Sequence, residues 1–467
     1  MAQIYLFAIG GTGARVVRAL SNILITQEIG DNEIIPVFID NDKMNKDLTE
    51  AIRCTREYTN FKSTIQTSID WLCKPKFEII NDIDLIENET ASSLKFGAYI
   101  GYESSDSYVN KMDKIDKSFV ESFFNTTSIN DDNNKLELEL FMDVGFKGRP
   151  KIGCIVYNEL KNDTIFRQIL QSCENNEESK IIIINSLFGG TGASGLPQLI
   201  KIINDLREIY PILQRIPIGA VSFFPYFNVE LPPNINTNSL DINSSTWITK
   251  SKSEAKYYIS ENQRSTDRIN VMYTLYDDQL ASYKYKIGGK DQENGAHWLE
   301  IIGAYSILDF IKMNENDLKE KQGKIFLSKS NIGSFDNGFI YDNFQDQTKK
   351  NLLDPIIKTG IVYFLTKELL SDNNLQSYHK NLKRYKQITE NIFNYLNNNF
   401  IPFIKDVQKN KRSLKLFNLD ATDPIQFIMR KDETKQHEWK GIVSNLSNEY
   451  EDSYSGFLKQ CIEYILK

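Results

Sequence analysis

The chain has 467 residues, of which 41% are hydrophobic and 25% are charged, a composition typical of a globular protein with a large core. A net charge of −7 without a long Lys/Arg run argues against a nucleic-acid-binding protein. The five scattered cysteines lack CxxC spacing and the three histidines form no HExxH-like motif, so we expect buried free thiols and no histidine-rich metal site. No apolar run approaches the ~18 residues of a membrane helix, which predicts a cytoplasmic protein without a transmembrane segment.

The start of the chain has the pattern of a βαβ unit. Residues 3–9, QIYLFAI, form a short apolar run typical of a strand that is buried on both faces of a parallel sheet. Val16, Leu20 and Ile23 then recur at the spacing of one helix face. Residues 34–42, IIPVFIDND, predict a second strand that ends in acidic residues. This order predicts the opening of a parallel, doubly wound sheet.

Further strands and helices are predicted downstream. Residues 43–142 are polar, carry a few helical patches and close with KLELELFMDV, a candidate strand by alternation. A helix is predicted around 156–173, and the four isoleucines at 181–184 predict a buried strand. Two more strands are predicted at 215–227 and 268–278, separated by a helix that contains Ala255, Tyr257 and Tyr258.

The last third of the chain reads as helical. Residues 294–312 are apolar on nearly every side of a helical wheel, which predicts a helix buried between layers. From about Asn351 the pattern stays helical to the end. We therefore expect an α/β fold: a doubly wound parallel sheet with a buried central helix and a mainly helical C-terminal region. The first domain would span 1–315, with an insertion around 50–140, and the helical region would span 316–467.

Two glycine-rich loops each follow a predicted strand and precede a helix. A helix N-terminus presents unpaired N–H groups, and glycines let an anion approach them closely, so this arrangement suits phosphate binding. Neither loop is followed by the GKS or GKT of a P-loop. The first loop fits a tight βα turn equally well, whereas the many small residues of the second favour phosphate binding. The loops are Gly10-Gly11-Thr12-Gly13 and Gly189-Gly190-Thr191-Gly192-Ala193-Ser194-Gly195.

The second loop carries a resemblance to a known family. FGGTGASG, with Phe188 in the place of a leading glycine, resembles the GGGTGSG signature of the tubulin and FtsZ superfamily, which includes divergent tubulin-like proteins of bacteria. The resemblance covers residues 1 to about 315 and implies a sheet of the tubulin/FtsZ type. Other segments follow in the family's order: IDNDKMN at 39–45, GFKGRPKIG at 145–153, FPYFNVE at 224–230 and VMYTLYDDQL at 271–280.

The resemblance implies a site for GTP or GDP. Backbone N–H groups of the first loop and of 189–194 would bind the α- and β-phosphates. Asp40 would contact a ribose hydroxyl or help to hold hydrated Mg²⁺, Gly148 and Arg149 would lie beside the γ-phosphate, and Glu230 would contact the ribose. The residues alone fit Asp40 as a turn-forming aspartate just as well. For Arg149 the alternative is a solvated surface arginine, but the flanking Gly148 and Pro150 fix the backbone and favour the phosphate contact.

Two residues near the start of the apolar helix are candidates for base recognition. Asn294 and His297 lie three residues apart, so on a helix they would share a face. Tubulins use an Asn or Asp on this helix to read the guanine edge, which implies that role for Asn294, with His297 stacking or hydrogen-bonding nearby. Asn294 also fits a helix N-cap, and His297 also fits a buried core histidine.

The resemblance breaks down at the residues expected to support hydrolysis. In tubulins a GxxNxD-type loop after the central helix inserts an acid into the nucleotide site of the next subunit, and this chain has no such motif. Asp336 and Asp342, in the segment SNIGSFDNGFIYDNF at 330–344, are the candidate catalytic acids. An Asp-Asn-Gly turn explains Asp336 equally well.

The resemblance implies a guanine-nucleotide-binding protein that self-assembles into filaments or oligomers through its nucleotide face, and any hydrolysis of GTP would depend on that assembly. One alternative is a non-polymerising GTP-binding scaffold that recruits partner proteins through its helical C-terminal region. A second alternative is a Rossmann-type NAD(P)-binding protein. Against the latter, Val16 stands where the third glycine of the dinucleotide fingerprint belongs, and a second glycine cluster is present.

Overall fold

The computed structural model describes most of the chain, with gaps that include several predicted features. The predicted strand in KLELELFMDV and the residues Tyr257, Tyr258, Arg149 and Asp336 lie outside the described residues. The described ranges are 2–42, 44–79, 145–146, 148, 150–174, 176–230, 247–256, 269–277, 281–284, 294–321, 324–329, 338–371, 385–410, 413–422, 424–429 and 453–466.

A seven-stranded sheet forms the centre of the molecule, in the order β3-β2-β1-β4-β5-β7-β9. Every pair of neighbouring strands in this sheet is parallel. Two further strands, β6 and β8, form a separate parallel pair. The strands are β1 Gln3–Ile9, β2 Glu33–Ile39, β3 Lys76–Phe77, β4 Lys180–Ser186, β5 Ile218–Phe223, β6 Phe227–Glu230, β7 Val271–Tyr276, β8 Ala281–Lys284 and β9 Lys324–Lys329.

Helices connect the strands and make up most of the C-terminal part that the structure describes. They are α1 Gly10–Ile23, α2 Lys46–Ile65, α3 Pro150–Tyr157, α4 Thr164–Glu174, α5 Gly190–Arg207, α6 Trp298–Lys312, α7 Glu315–Lys321, α8 Asp354–Ser371, α9 Lys386–Asn398, α10 Phe400–Lys409 and α11 Tyr454–Leu466. Residues 247–256 are also helical. Shorter helical segments are Asn158–Asn162, Pro211–Gln214, Tyr341–Asn343, Asp346–Thr348, the π-helical Lys349–Leu353 that leads into α8, and Pro424–Phe427.

Helices cover both faces of the sheet, because alternate residues of each strand point to opposite sides. Ile4, Leu6 and Ala8 of β1 join one hydrophobic core with α1, α2, α6 and the C-terminal helices. Tyr5, Phe7 and Ile9 join a second core with α3, α4 and α5. The prediction of an α/β fold with a parallel sheet is thus confirmed.

Helix α6 is buried along most of its length, as the apolar pattern of 294–312 predicts. Its C-terminal carbonyl groups need partners, and Lys180 at the start of β4 supplies them. Lys180 Nζ donates to the carbonyl oxygens of Ile311 and Met313, both at 2.7 Å, and of Phe310 at 3.2 Å. This contact joins the start of β4 to the end of α6.

Two local predictions differ from the structure. The single helix predicted around 156–173 begins earlier, at Pro150, and is broken into α3, a short 3₁₀ segment and α4. Asp163 causes the break, because its carboxylate accepts the N–H of Phe166 at 2.8 Å and so caps the start of α4. Strand β9, which adds to the sheet beyond β7, falls in a region predicted to be helical.

The cysteines are free, as the sequence predicts. Four of them are buried, and Cys154 is partly exposed. None of the helices in the described ranges is long and apolar enough to cross a bilayer.

Candidate functional site

The two glycine-rich loops lie side by side at the carboxyl ends of neighbouring strands. Strands β1 and β4 pair directly, with Ala8 opposite Ile184, and each leads into a glycine-rich helix start. Gly10 has a φ of +66°, and a Cβ atom placed on it would lie 3.3 Å from the side chain of Thr191. The loops therefore form one cleft at the point where the strand order reverses, which is where open α/β sheets bind ligands.

The helices that begin at this cleft lack side-chain caps, unlike two neighbouring helices. Neither Ile9 before α1 nor Gly189 before α5 caps the helix with its side chain, and neither helix carries an acid in its first turn. By contrast, Asn45 caps α2 with a 2.9 Å hydrogen bond, and His297 Nδ1 caps α6 at 3.2 Å. The first N–H groups of any helix lack an intrahelical acceptor, and at α1 and α5 no side-chain cap supplies one. The positive ends of both helices point to the same cleft.

The loop glycines differ in the space available for a side chain. A Cβ atom on Gly13 would lie 2.6 Å from the carbonyl carbon of Ala8, and one on Gly192 would lie 2.7 Å from the backbone oxygen of Ser186. These two glycines are required for close packing of helix on strand, as in a tight βα turn. Gly11 and Gly189 are partly exposed and border the opening of the cleft.

Most of the second loop, from Gly190 to Gly195, lies inside helix α5, and two of its residues make hydrogen bonds within that helix. The N–H of Ala193 donates to the carbonyl of Gly189 at 3.3 Å, so it already has a partner. Ser194 is fully buried, and its hydroxyl donates to the carbonyl of Gly190 at 2.7 Å. Thr191, in contrast, is only partly buried and its side chain faces Gly10 across the cleft.

A third loop adjoins the cleft. Gly145 has a φ of +72°, and a Cβ atom on it would lie 3.4 Å from the hydroxyl oxygen of Thr191. Gly148 also has a positive φ, +76°, and α3 begins shortly afterwards at Pro150. The loop that the resemblance assigns to the γ-phosphate therefore approaches the second glycine loop, although Arg149 itself is not among the described residues.

Asp40 lies directly after β2 and is 8% exposed. Its carboxylate accepts the backbone N–H of Asp42 at 3.1 Å, which is the contact of a turn-forming aspartate. Burial raises the pKa of Asp40 to about 7. Two buried polar atoms of nearby residues, Asn41 Nδ2 and Tyr157 Oη, have no hydrogen-bond partner within the described part of the chain.

A buried charged cluster borders the first glycine loop and joins three helices. Arg15 of α1 bonds Asp47 of α2 through Nη1 and Glu300 of α6 through Nε, both at 2.6 Å. Its Nη2 donates to the hydroxyl of Tyr226 at 2.6 Å, and this hydroxyl donates to Glu300 at 2.8 Å. We call Arg15, Asp47, Tyr226 and Glu300 the Arg15 cluster. Thr12 joins it, since its hydroxyl accepts from Arg15 at 3.3 Å.

One positive and two negative side chains are fully enclosed in the Arg15 cluster. Burial opposes the charge of Arg15, but Tyr226, Asp47 and Glu300 outweigh it and raise the pKa of Arg15 well above its ordinary value. Burial also raises the pKa of Asp47 and of Glu300, and the guanidinium opposes this effect. The two carboxylates therefore depend on Arg15 for their charged state.

Asn294 and His297 both contact the Arg15 cluster, although not from a shared helix face. Helix α6 begins at Trp298, so the expectation that they share a face is wrong, and His297 rather than Asn294 is the N-cap. The backbone N–H of Asn294 donates to Asp47 at 3.2 Å, and that of His297 donates to Glu300 at 3.0 Å.

The cluster lies directly beside the glycine cleft. A Cβ atom on Gly11 would lie 3.4 Å from Asp47 Oδ2 and 3.6 Å from Arg15 Nη1. Sequence reasoning did not select Arg15, Asp47, Tyr226 or Glu300. Two of them left a signal: Arg15 and Glu300 are charged residues within apolar stretches, ARVV and WLEIIG, and such residues are paired when buried.

The remaining predicted residues lie in other settings. Glu230 is exposed at the end of β6, where the register pairs it with Lys284. Asp342 lies in the one-turn helix Tyr341–Asn343 and is partly buried.

Comparisons with known proteins give no assignment. No protein-family model matches the chain, and no curated protein is significantly similar to it in sequence. Within the described ranges, no group of three or more His, Cys, Asp or Glu side chains is arranged to hold a metal ion. The function must therefore be argued from the cleft.

Proposed function

We propose that this chain is a tubulin/FtsZ-like guanine-nucleotide-binding protein that holds the phosphates of GTP or GDP in the glycine cleft. The observation that carries the proposal is the convergence of two uncapped helix N-termini, with Gly10 and Thr191 in contact range, at the reversal point of the strand order. Two helix ends that point to one cleft favour a group with several negative charges. A polyphosphate fits that requirement better than a single carboxylate.

In this proposal the backbone does most of the phosphate binding. N–H groups at the starts of α1 and α5 donate to phosphate oxygens, and the partly exposed Thr191 hydroxyl adds a donor. Gly145 and Gly148 bring a third loop to the same place. Mg²⁺ usually binds through one or two carboxylates and the phosphates of its nucleotide, so Asp40 at the end of β2 would hold it, and the ion would neutralise phosphate charge.

The guanine preference, self-assembly and GTP hydrolysis are parts of the proposal that rest on the resemblance. Hydrolysis would require an acid from a neighbouring subunit, for which Asp342 and Asp336 are the candidates. Electron microscopy with GTP and with a non-hydrolysable analogue tests assembly. Filaments or rings in either condition support it, whereas particles of uniform small size in both conditions favour a non-polymerising GTP-binding scaffold.

One observation favours a second candidate, a dinucleotide-binding protein. The strand order β3-β2-β1-β4-β5, with a glycine loop after β1 and an acid after β2, is also the arrangement of dinucleotide-binding folds. Denaturing the purified full-length protein and separating the released compounds by chromatography distinguishes the two. Guanine nucleotide supports our proposal, and NAD(P) contradicts it.

A protein purified without nucleotide can be tested directly. Equilibrium binding of GTP, ATP, NAD⁺ and inorganic tripolyphosphate to the full chain separates base recognition from phosphate recognition. We expect GTP and tripolyphosphate to bind and NAD⁺ not to bind. Failure of both GTP and tripolyphosphate to bind at millimolar concentration, in the presence of Mg²⁺, would overturn the proposal.

A further inference from the structure

The first turn of α5 forms one side of the glycine cleft, and its sequence makes the backbone flexible. Gly189, Gly190 and Gly192 lie in this turn or directly before it, and Gly189 supplies no side-chain cap. Glycine loses more conformational freedom on folding than any other residue, so a turn built from it needs further contacts to hold one conformation. Two buried side chains make such contacts.

Ser194 holds the first two carbonyl groups of α5. Its single O–H is shared between the carbonyl oxygens of Gly190, at 2.7 Å, and Thr191, at 3.0 Å. A carbonyl group and the N–H of the next residue belong to one planar peptide unit. The shared bond therefore orients the N–H groups of Thr191 and Gly192, which are among the first of the helix and have no intrahelical acceptor.

Asn185, near the end of β4, holds the third carbonyl group. It is fully buried, and its Nδ2 donates to the carbonyl oxygens of Gly192 at 3.2 Å and Ser186 at 3.3 Å. Ser222 of the neighbouring strand β5 donates to Asn185 Oδ1 at 2.7 Å. Both ends of the amide are therefore bonded, and the amide joins the strand end to the helix start.

Helix α3 encloses the hydroxyl of Ser194. A Cβ atom on Gly153 would overlap Ser194 Oγ, so this glycine leaves the space that the hydroxyl occupies. The thiol of Cys154 donates to the carbonyl oxygen of Ser194 at 3.8 Å. Because α3 begins shortly after Gly148, the third loop of the cleft leads directly to the residue that orients the second loop.

We propose that Ser194 and Asn185 are positioning residues for the phosphate site. They hold the first turn of α5 in the conformation that binds phosphate, and their side chains act through backbone N–H groups without touching the anion. This inference rests on the proposed function, because it assigns the residues that shape the same cleft. Binding groups that are oriented before the ligand arrives give higher affinity, since less conformational freedom is lost on binding.

The test compares the binding of inorganic tripolyphosphate and of GTP to full-length variants by isothermal titration calorimetry, with Mg²⁺ present. Ser194→Ala removes the hydroxyl, and alanine suits a helix interior better than serine does. We expect both ligands to bind about threefold more weakly, because the freedom of a glycine backbone is worth about this factor. Ser222→Ala leaves Asn185 in place but frees one end of its amide, and should weaken both ligands by about twofold.

Ser306→Ala is the matched control. Ser306 is also buried in a helix, and its hydroxyl donates to the carbonyl oxygen of Ile302, four residues earlier in α6, at 3.0 Å. Its affinity for both ligands should equal that of the unmodified protein, and denaturant unfolding should show similar stability for Ser194→Ala and Ser306→Ala. A residue with a structural role alone would change the stability without changing the affinity of the folded protein.

The outcomes distinguish this inference from the proposed function. If the unmodified protein binds tripolyphosphate and the Ser194→Ala and Ser222→Ala variants bind it equally well, the inference is overturned and the proposed function stands. Equal losses of affinity in Ser194→Ala and Ser306→Ala would overturn it as well. If the unmodified protein binds neither tripolyphosphate nor GTP, the proposed function falls and the inference falls with it. Ser222→Ala decides the inference by itself should Ser194→Ala fail to fold.

Discussion

Arg15 Nε and Glu300 Oε1 lie 2.6 Å apart, although 285 positions separate the two residues in the chain. The pair joins the helix after β1 to the buried helix α6, and Asp47 extends it to α2. A buried ion pair of this kind contributes little net stability, but removal of one partner leaves an unpaired buried charge that costs several kcal/mol. The cluster therefore fixes how three helices meet beside the glycine cleft.

A tightly packed loop glycine and a partly exposed one should respond differently to replacement by alanine: the first should lose stability and the second should lose phosphate affinity. Gly13→Ala should destabilise the fold by about 1–3 kcal/mol or more, because the new methyl group would overlap the backbone of Ala8. Gly11→Ala should fold normally, since its methyl group would meet only side-chain atoms at 3.4 Å or more. We expect Gly11→Ala to weaken tripolyphosphate and GTP binding by about tenfold, because it blocks close approach of the anion.

Denaturant unfolding and calorimetric binding measure these two effects separately. A Gly11→Ala protein with unchanged unfolding and unchanged affinity for tripolyphosphate would show that the first loop is only a tight turn. Loss of affinity with unchanged unfolding would support the phosphate site.

Asp40 predicts a specific dependence of stability on pH. Burial raises its pKa from 3.8 to about 7 in the folded protein, so the folded state retains a proton that the unfolded state loses. Its contribution to the free energy of unfolding is therefore full below about pH 4, falls as the pH rises towards 7, and stays low above that. Each pKa unit corresponds to about 1.4 kcal/mol, which sets the loss at a few kcal/mol.

Asp40→Asn removes this titration and tests the sign. We expect the variant to be more stable than the unmodified protein at pH 8 and about equally stable at pH 4. Asp205→Asn, at an exposed position on α5, is the control and should show the same pH dependence as the unmodified protein. Equal unfolding free energies of Asp40→Asn and the unmodified protein at pH 8 would contradict the prediction.

The outline of the fold was predictable because it depends on local patterns. Apolar runs such as QIYLFAI and the four isoleucines of β4 predict buried parallel strands, and glycines directly after them predict helix starts. The contact between Gly10 and Thr191 depends instead on β1 and β4 being neighbours, which no local pattern specifies. Strand β9 was missed because its apolar run, IFL at 325–327, is too short to predict a strand, although Gly323 before it and the Ser-, Asn- and Gly-rich segment after it are turn signals.

The Arg15 cluster could not be assembled from the sequence for the same reason. Its members come from three helices and from the segment between β5 and β6, and the partner of a buried charge is known only once the helices are placed. Asn294 and His297 were selected from a helix spacing that does not exist, since α6 begins after both. Both reach the cluster through backbone N–H groups, and Asn294 adds a side-chain hydrogen bond from Nδ2 to Asp47 at 3.4 Å.

Lys180 lies away from the cleft, and its replacement should lower the free energy of unfolding. Its ammonium group donates to three carbonyl oxygens in a largely buried position at the end of α6, and the carbonyl of Phe310 also accepts the N–H of Met313 at 3.2 Å. Lys180→Met keeps the aliphatic part of the side chain and removes the donor. We expect a loss of about 1.5–3 kcal/mol in the free energy of unfolding, the usual range for hydrogen bonds to a charged group.

Denaturant unfolding of Lys180→Met and of Lys201→Met makes the comparison. Lys201 is exposed on α5, so its replacement should change the free energy of unfolding by no more than about 0.5 kcal/mol. Equal effects of the two substitutions would show that the carbonyl groups at the end of α6 find water or another donor.

Phe188 explains why the second loop departs from the signature that it resembles. The residue stands where the signature has a glycine, and its ring packs against Trp247 at 5.0 Å and Phe227 at 5.4 Å between ring centres. Phe188→Gly should restore the signature but destabilise the fold by about 3–5 kcal/mol, because it empties a buried aromatic position and adds backbone freedom. Phe188→Leu should cost less and leave tripolyphosphate affinity unchanged, since the side chain points into the aromatic group and the N–H groups of α5 are unaffected. Thermal unfolding and calorimetry on both variants check this, and a Phe188→Gly protein as stable as the unmodified one would show that the ring does not support the loop.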